Sequence, residues 1–293
     1  MTITNFIKQH PVLTFFALAF TISWVGILLI VGGPEGIVGR GEEMNRLFLL
    51  VFLANAAGPP VAGILLTAIL EGRAGLRGLL SRMGRWRVGV RWYAVALLTT
   101  PVLATVVLSL LSLVSRDFVP GIVTTSDRAT LLLFGAMGGL LAGIFEEVGW
   151  TGFTVPRLLA RYSVLATGLM LGGIHGVWHL GVEIWGSSES LGPFLLPHFF
   201  LFWVLGMMAY RVLMVWVYKH TESLLLAQLM HASLTGPMWI LGPSGGTAGQ
   251  VVLWQALFVA ALWIAVAVVV LPSLREHGSP ETDRGASALG CAL

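Results

Sequence analysis

The sequence predicts an all-α membrane protein, a polytopic bundle of about eight transmembrane helices around a conical or buried polar cavity. Of the 293 residues, 56% are hydrophobic and 11% are charged, whereas about a quarter of the residues in a soluble domain carry charge. The apolar residues form stretches long enough for helices of about 20 residues, the length that crosses a bilayer core. Two adjacent acids, Glu146 and Glu147, interrupt one such stretch. Acids in membrane spans usually face a protein interior.

The predicted spans follow one another along the chain with short connections. Their approximate bounds are 11–31, 47–70, 92–114, 130–153, 164–182, 194–217, 224–241 and 251–271. The first lacks the Ala-x-Ala-like site at which a signal peptide is cleaved, so we predict that it is retained. We predict one membrane domain, residues 1–272, and a disordered cytoplasmic tail, residues 273–293, because the tail is rich in Gly, Ser, Pro and charge.

Basic residues predict the orientation of the chain. The loop between the second and third spans is rich in arginine, and such loops stay in the cytoplasm. Alternation then places both termini in the cytoplasm and the protein in the cell membrane. Because the loop contains Trp86 and precedes Trp92, it is either a plain cytoplasmic loop or a segment on anionic headgroups. The net charge of +3 therefore reflects topology, and we expect a bilayer rather than nucleic acid as partner.

Glycines recur every fourth residue in the fourth and fifth spans. They are Gly135, Gly139 and Gly143, and Gly168, Gly172 and Gly176. Small residues at this spacing let membrane helices approach closely. Glu146 and His179 each follow the last glycine by three residues, so we expect them to point at each other. They reach the same depth if the fourth helix continues past Phe153 to Arg157 and Arg161, which predicts one long or kinked helix.

Three polar motifs lie in order on three separate spans, around the Glu146-Glu147 pair, His179 and His231. They resemble the motifs of the CAAX-protease and bacteriocin-processing (CPBP) family of intramembrane proteases. Those motifs are Glu-Glu-x-x-x-Arg, Phe-x-x-x-His, and His-x-x-x-Asn or Asp. The resemblance covers about residues 140–236. It implies hydrolysis of peptide bonds in membrane-anchored substrates, including prenylated CAAX-type peptides.

The chain departs from these motifs at three positions. The first motif's Arg is Thr151, the second motif's Phe is His175, and the third motif's Asn or Asp is Thr235. The missing Arg would lie one helical repeat from Glu147 and could pair with it, so Glu147 needs another cation or a proton. Arg211 in the sixth span can supply the charge, or its side chain can extend to the interface instead. We interpret His175 as a packing or supporting residue.

The resemblance implies a catalytic set of Glu146, Glu147, His179, His231 and Thr235, for which two schemes are open. In the metal-free scheme, Glu146 activates a water and His179 orients it or carries its proton. His231 and Thr235 then stabilise the oxyanion, unless the Thr235 hydroxyl bonds back to the carbonyl of His231. In the metalloprotease scheme, Glu146, His179 and His231 hold zinc and Glu147 is the base. We favour the first, because no His-Glu-x-x-His spacing is present.

Two other functions are open at this point. A non-catalytic family member would use the polar cavity in bacteriocin self-immunity or to bind membrane proteins, and Thr151 and Thr235 keep this alternative open. A proton or ion transporter would use the buried acids and histidines as a relay, although the sequence has no evident internal repeat to support it. Glu183 and His198 lie near predicted span ends, and we interpret both as interface residues.

Overall fold

The computed structural model describes residues 3–39, 41–243 and 245–276. Within this part of the chain the structure is helical and has no β-strand, which confirms the all-α fold. Its α-helices are α1 (Ile3–Gln9), α2 (Pro11–Ile30), α3 (Gly41–Met83), α4 (Val90–Ser112), α5 (Gly121–Thr124), α6 (Arg128–Gly149), α7 (Val155–Leu159), α8 (Val164–Trp178), α9 (Leu180–Leu191), α10 (Leu195–His198), α11 (Met207–Thr221), α12 (Leu224–Leu241) and α13 (Ala248–Glu276). Two π-helical turns lie at Trp150–Thr154 and Phe199–Gly206.

Among the described residues, seven helical stretches are long and apolar enough to cross a membrane. They are Pro11–Ile30, Met44–Met83, Val90–Ser112, Arg128–Leu159, Leu180–Thr221, Leu224–Leu241 and Ala248–Val270. The polytopic bundle is therefore confirmed. The fifth predicted span is the exception, because α8 has 15 residues. At 1.5 Å per residue such a helix rises about 22 Å, less than the roughly 30 Å of a bilayer core.

The predicted span 164–182 breaks at His179, and this part of the prediction was wrong. The His179 ring Nδ1 lies 3.0 Å from the carbonyl oxygen of His175, the group that its own backbone N–H would bond in an α-helix. The His179 backbone N–H bonds Gly176 instead, at 3.1 Å. This i→i−3 bond tightens the turn, and the chain restarts as α9 one residue later.

The fourth span is one long helix, as predicted, although it ends at Leu159 and does not reach Arg161. Helix α6 passes through the π-helical turn into α7, so that residues Arg128–Leu159 form 32 continuous helical residues. Pro156 in the first turn of α7 has no N–H for the carbonyl of Gly152. The wider π-helical turn before it accommodates that loss, a feature that often marks functional sites.

The arginine-rich connection between the second and third spans is helical rather than a loop as far as Met83. The second span runs into it through Gly72, whose φ of +61° and ψ of −149° interrupt the helix. A side chain at this φ is strained, so glycine suits the position. Because the helix resumes after Gly72, the prediction of a loop throughout this connection was wrong.

The last helix, α13, extends to Glu276, four residues past the predicted end of the membrane domain at residue 272. The rest of the predicted tail, residues 277–293, lies outside the described part of the chain. The disorder of that segment stays a prediction.

The two glycine stripes let pairs of helices pack backbone to backbone. The stripe of α6 faces α12, since a Cβ built on Gly143 would lie 2.2 Å from the carbonyl oxygen of Gln228. The stripe of α8 faces α11 and the preceding π-helical turn, since a Cβ on Gly176 would lie 2.1 Å from the carbonyl oxygen of Trp203. These close approaches bring the ends of α6 and α8 into one interior.

Gly143→Ala is expected to lower the free energy of unfolding by about 1–3 kcal/mol, the usual cost of overpacking a core. The added methyl would meet the backbone of α12, which cannot move aside as a flexible side chain can. Thermal unfolding of the purified protein in detergent measures the effect. Gly78→Ala is the matched control, because a Cβ there meets nothing within 4 Å. Equal unfolding temperatures for the two variants would contradict this packing account.

Candidate active site

The polar residues of the three motifs meet in the interior of the bundle. Glu146 and Glu147 lie in the last turn of α6, His179 lies between α8 and α9, and His231 lies in the middle of α12. All four side chains are buried. A fifth helix contributes Arg211 from α11, whose side chain is completely buried. The α6–α12 and α8–α11 contacts therefore position one polar cluster.

Glu147 is held by four hydrogen bonds. The Arg211 guanidinium donates two, from Nη1 to Oε2 at 2.7 Å and from Nη2 to Oε1 at 2.6 Å. The Thr151 hydroxyl donates to Oε2 at 2.5 Å, and His231 Nδ1 donates to Oε1 at 2.6 Å. A carboxylate that accepts a bidentate arginine and two more donors is a fixed negative charge. Arg211 thus supplies the missing cation, and the alternative that it extends to the interface was wrong.

His175 connects Arg211 to the other acid. Arg211 Nε and Nη2 lie 3.0 and 2.7 Å from His175 Nδ1. A guanidinium in a protein is always protonated and can only donate, so Nδ1 is the acceptor. The neutral ring then carries its proton on Nε2, which lies 3.2 Å from Glu146 Oε2. His175 therefore donates a hydrogen bond to Glu146 and supports it. This role goes beyond packing, and it depends on contacts between side chains of different helices.

Glu146 is far less constrained than its neighbour. Within the described part of the chain its carboxylate has one hydrogen bond, from His175. His231 Nε2 lies 3.8 Å from Glu146 Oε2, too far for a direct hydrogen bond. The carboxylate of Glu146 is thus free to accept a proton, whereas that of Glu147 is saturated.

Each of the two remaining histidines has one ring nitrogen engaged. His231 donates from Nδ1 to Glu147, which leaves the lone pair of Nε2 beside Glu146. His179 donates from Nδ1 to the carbonyl of His175, and its ring stacks on Trp203 with centroids 3.9 Å apart. A ring nitrogen bound in this way fixes the tautomer and the ring orientation, so the Nε2 atoms of both residues are available to a ligand.

The donor groups fit a metal ion as well as a water. Ligand atoms of Glu146, His175 and His179 lie within 4.8 Å of one another. His175 is the poorest ligand of the three, because Arg211 occupies its Nδ1 and its Nε2–H faces Glu146. The carboxylate and the Nε2 atoms of His179 and His231 keep lone pairs of the kind that zinc binds. The predicted zinc set of Glu146, His179 and His231 stays a prediction.

Thr235 lies one helical repeat after His231 on α12 and is half-buried. Within the described residues its hydroxyl forms no hydrogen bond, so it does not bond back to the carbonyl of His231. Its O–H donor is free for a ligand.

One acid and one histidine that we interpreted as interface residues are in fact buried behind His179. Glu183 and His198 have 6% and 5% of their surface exposed, so the interface prediction was wrong for both. Trp203 Nε1 donates to Glu183 at 2.7 Å, and His198 Nδ1 lies 2.9 Å from the other carboxylate oxygen. Glu183 thus holds the indole that stacks on His179. Its position one helical repeat after His179 was the signal available in the sequence.

The fold and this site define a polytopic membrane protein with a carboxylate and imidazole centre buried between its helices. The family model described as type II CAAX prenyl endopeptidase Rce1-like matches residues 128–236, which contain all three motifs. The chain is also similar to the CAAX prenyl protease 2 of Methanococcus maripaludis, with 22% identity over 234 residues, 76% of this chain and 82% of that protein. The similarity to this group of membrane proteases extends over residues 128–236, a little over a third of the chain.

Proposed function

We propose that this protein is an intramembrane endopeptidase that hydrolyses membrane-anchored, CAAX-type peptides with a water activated by Glu146. The observation that carries the proposal is the contrast between two adjacent acids. Glu147 accepts four hydrogen bonds, whereas Glu146 accepts one and lies beside two imidazoles. A general base must be within reach of its proton and free to accept it. The family match and the similar CAAX prenyl protease support the substrate class.

In this reaction Glu146 removes a proton from the water while the water oxygen attacks the scissile carbonyl carbon. His179 Nε2 accepts the second hydrogen of the water and so orients the attack. The carbonyl oxygen becomes an oxyanion, and Thr235 donates its hydroxyl hydrogen to it. When the tetrahedral intermediate collapses, the C–N bond breaks and Glu146 returns its proton to the leaving nitrogen. The products are a carboxylate and an amine.

Charge balance gives His231 a second role. The buried cluster holds two carboxylates, Glu146 and Glu147, against one guanidinium, Arg211. A proton taken up by His231 during the reaction would offset the remaining negative charge, and Nε2 would carry it because Nδ1 already faces Glu147. Buried charges are stable when paired. A protonated His231 can donate to the oxyanion, with Glu147 acting as the residue that positions it.

The zinc scheme assigns Glu147 as the base, and its contacts argue against that assignment. Its oxygens accept from Arg211, Thr151 and His231, so proton transfer to Glu147 would first break one of these bonds. If zinc binds, Glu146, His179 and His231 hold it, and the ion polarises the carbonyl and acidifies water. The metal-free scheme agrees better with the free carboxylate of Glu146.

We infer the predicted orientation from the way basic residues gather at one end of the bundle. Arg157 in the last turn of the fourth span pairs with Glu71, and Arg85 after the second span pairs with Glu222 at 2.6 Å. Three connections of the chain therefore meet at one end. Arginine-rich connections stay in the cytoplasm, which supports cytoplasmic termini in the cell membrane.

The test uses the purified protein in nanodiscs with a farnesylated peptide that ends in a CAAX sequence, followed by mass spectrometry of the products. The expected result is a new peptide terminus after the prenylated cysteine, and much less cleavage of the same peptide without the lipid. A well-folded protein that cleaves neither peptide would contradict the proposal and favour the non-catalytic alternative.

The same assay distinguishes the two schemes. Because Glu146 can act on water directly, we expect activity to persist after dialysis against a strong zinc chelator. Total metal analysis of the dialysed protein is the control. Loss of cleavage that added zinc restores would instead select the scheme with Glu146, His179 and His231 as ligands.

A further inference from the structure

Two departures from the family motifs contact the same side chain. Thr151 replaces the first motif's Arg, and its hydroxyl lies 3.4 Å from Arg211 Nη1. His175 replaces the second motif's Phe and accepts from Arg211 at 3.0 and 2.7 Å. We propose that the residues at positions 151, 175 and 211 differ from the family motifs as one set, which we call the linked exchange. In this exchange the cation of the first motif has moved from α6 to α11, where Arg211 supplies it. Arg211 is then a positioning residue for both acids. This inference rests on the proposed function.

The exchange is linked because each member depends on the others. Thr151 is 2% exposed, so an arginine there would bring a second guanidinium into a closed interior beside the first. Threonine is small, and its hydroxyl fills a position on Glu147. A phenylalanine at position 175 would leave Arg211 without its imidazole acceptor, and a buried donor left unpaired is costly.

The geometry requires an arginine in particular. Arg211 forms five donor contacts through its three nitrogens, two with Glu147, one with Thr151 and two with His175. A guanidinium offers five N–H groups in a rigid planar fork, whereas a lysine ammonium offers three from one point. Lysine at 211 would keep the charge but could not hold the carboxylate and the imidazole in fixed relative positions.

The consequence for catalysis passes through His175. Because Arg211 holds Nδ1 as an acceptor, the ring carries its proton on Nε2, toward Glu146. Without Arg211 the ring can take the other tautomer and present a lone pair to Glu146. Arg211 therefore positions Glu146 without touching it, and it also positions His231 through Glu147.

The experiment rebuilds the family arrangement. Arg211→Met, Thr151→Arg and His175→Phe are made singly and combined as T151R/H175F/R211M, and both the unfolding temperature and kcat/KM are measured. We expect each single variant to unfold earlier, and kcat/KM of Arg211→Met to fall at least about 10- to 100-fold, as for other residues that orient ligands. The triple variant should recover most of both losses, because the cation returns to Glu147 from position 151.

Two controls sharpen the comparison. The double variant H175F/R211M lacks any cation and should not recover, which separates charge replacement from simple removal of polar groups. Arg77→Met removes an exposed arginine and should change neither measurement. Arg211→Lys should keep KM but lower kcat, since it retains the charge and loses the fork.

The outcomes separate this inference from the proposed function. If the triple variant is no more stable than Arg211→Met, the linked exchange is overturned whatever the activity. If it regains stability but not kcat/KM, the positioning role is overturned. If the wild-type protein cleaves no peptide, the proposed function fails. The unfolding temperatures of the variants still decide whether positions 151, 175 and 211 form a linked exchange.

Discussion

Replacing Glu146 with glutamine is expected to abolish peptide cleavage and to leave the unfolding temperature close to that of the wild-type protein. Glutamine has the same shape, and its carbonyl oxygen can still accept from His175 Nε2. It cannot take a proton from water. General acid–base catalysis contributes about 10²–10⁴-fold to rate, so kcat should fall by at least that factor. Single-turnover cleavage of the farnesylated peptide, with substrate binding measured separately, gives both quantities.

The matched control is Glu222→Gln, which removes an exposed carboxylate from its pair with Arg85. An exposed ion pair contributes little, so this variant should cleave at the wild-type rate. Cleavage by Glu146→Gln within a few-fold of wild type would show that another group activates the water. Loss of folded Glu146→Gln protein would show that Glu146 is structural, and the assignment of the base would be wrong.

Much of the fold was predictable because membrane spans obey a simple length rule. Most of the predicted apolar stretches became helices that end within a few residues of the predicted bounds. The extended fourth helix also followed from local reasoning, since Glu146 and His179 could meet only if the chain stayed helical past Phe153. The order of residues along the sequence and the cost of burying charge were sufficient to predict where these helices lie.

The errors lie where a side chain competes with the regular pattern. The break at His179 depends on its ring bonding the carbonyl of His175, a contact that hydropathy does not encode. Glu183 and His198 lie near the ends of predicted spans, where residues usually face the interface. Both are buried instead, because Glu183 accepts from Trp203 and also contacts His198. The helical segment after Gly72 was missed because charge suggested a loop, although arginine is a good helix former.

The site itself was only partly predictable, because its decisive contact joins distant positions. The sequence motifs identify Glu146, His179 and His231 by type and order. They do not determine which of the two adjacent acids is fixed by hydrogen bonds from other helices. Neighbours on a helix point about 100° apart, so only one of the two faces those donors. That distinction comes from Arg211, 64 positions after Glu147. A buried arginine in a membrane span was the available signal.

Glu147→Gln is expected to destabilise the protein by about 3–5 kcal/mol, the cost of breaking a buried ion pair by removing one partner. All the groups around this carboxylate are donors, namely Arg211, Thr151 and His231. An amide would therefore place its own N–H groups against other donors and leave Arg211 with an unbalanced charge. Thermal unfolding in detergent, compared with Glu146→Gln at the adjacent position, measures the difference.

The prediction separates two acids that the sequence presents as a pair. Glu146→Gln should lose activity and keep stability, whereas Glu147→Gln should lose both, because His231 and Arg211 are held through Glu147. Removing both charges in Glu147→Met/Arg211→Met should recover part of the stability but none of the activity, since neither member of the Glu147–Arg211 pair is then left without its partner. If Glu147→Gln unfolds at the wild-type temperature, Glu147 is not the fixed charge around which the site is built, and its alternative role as the base regains support.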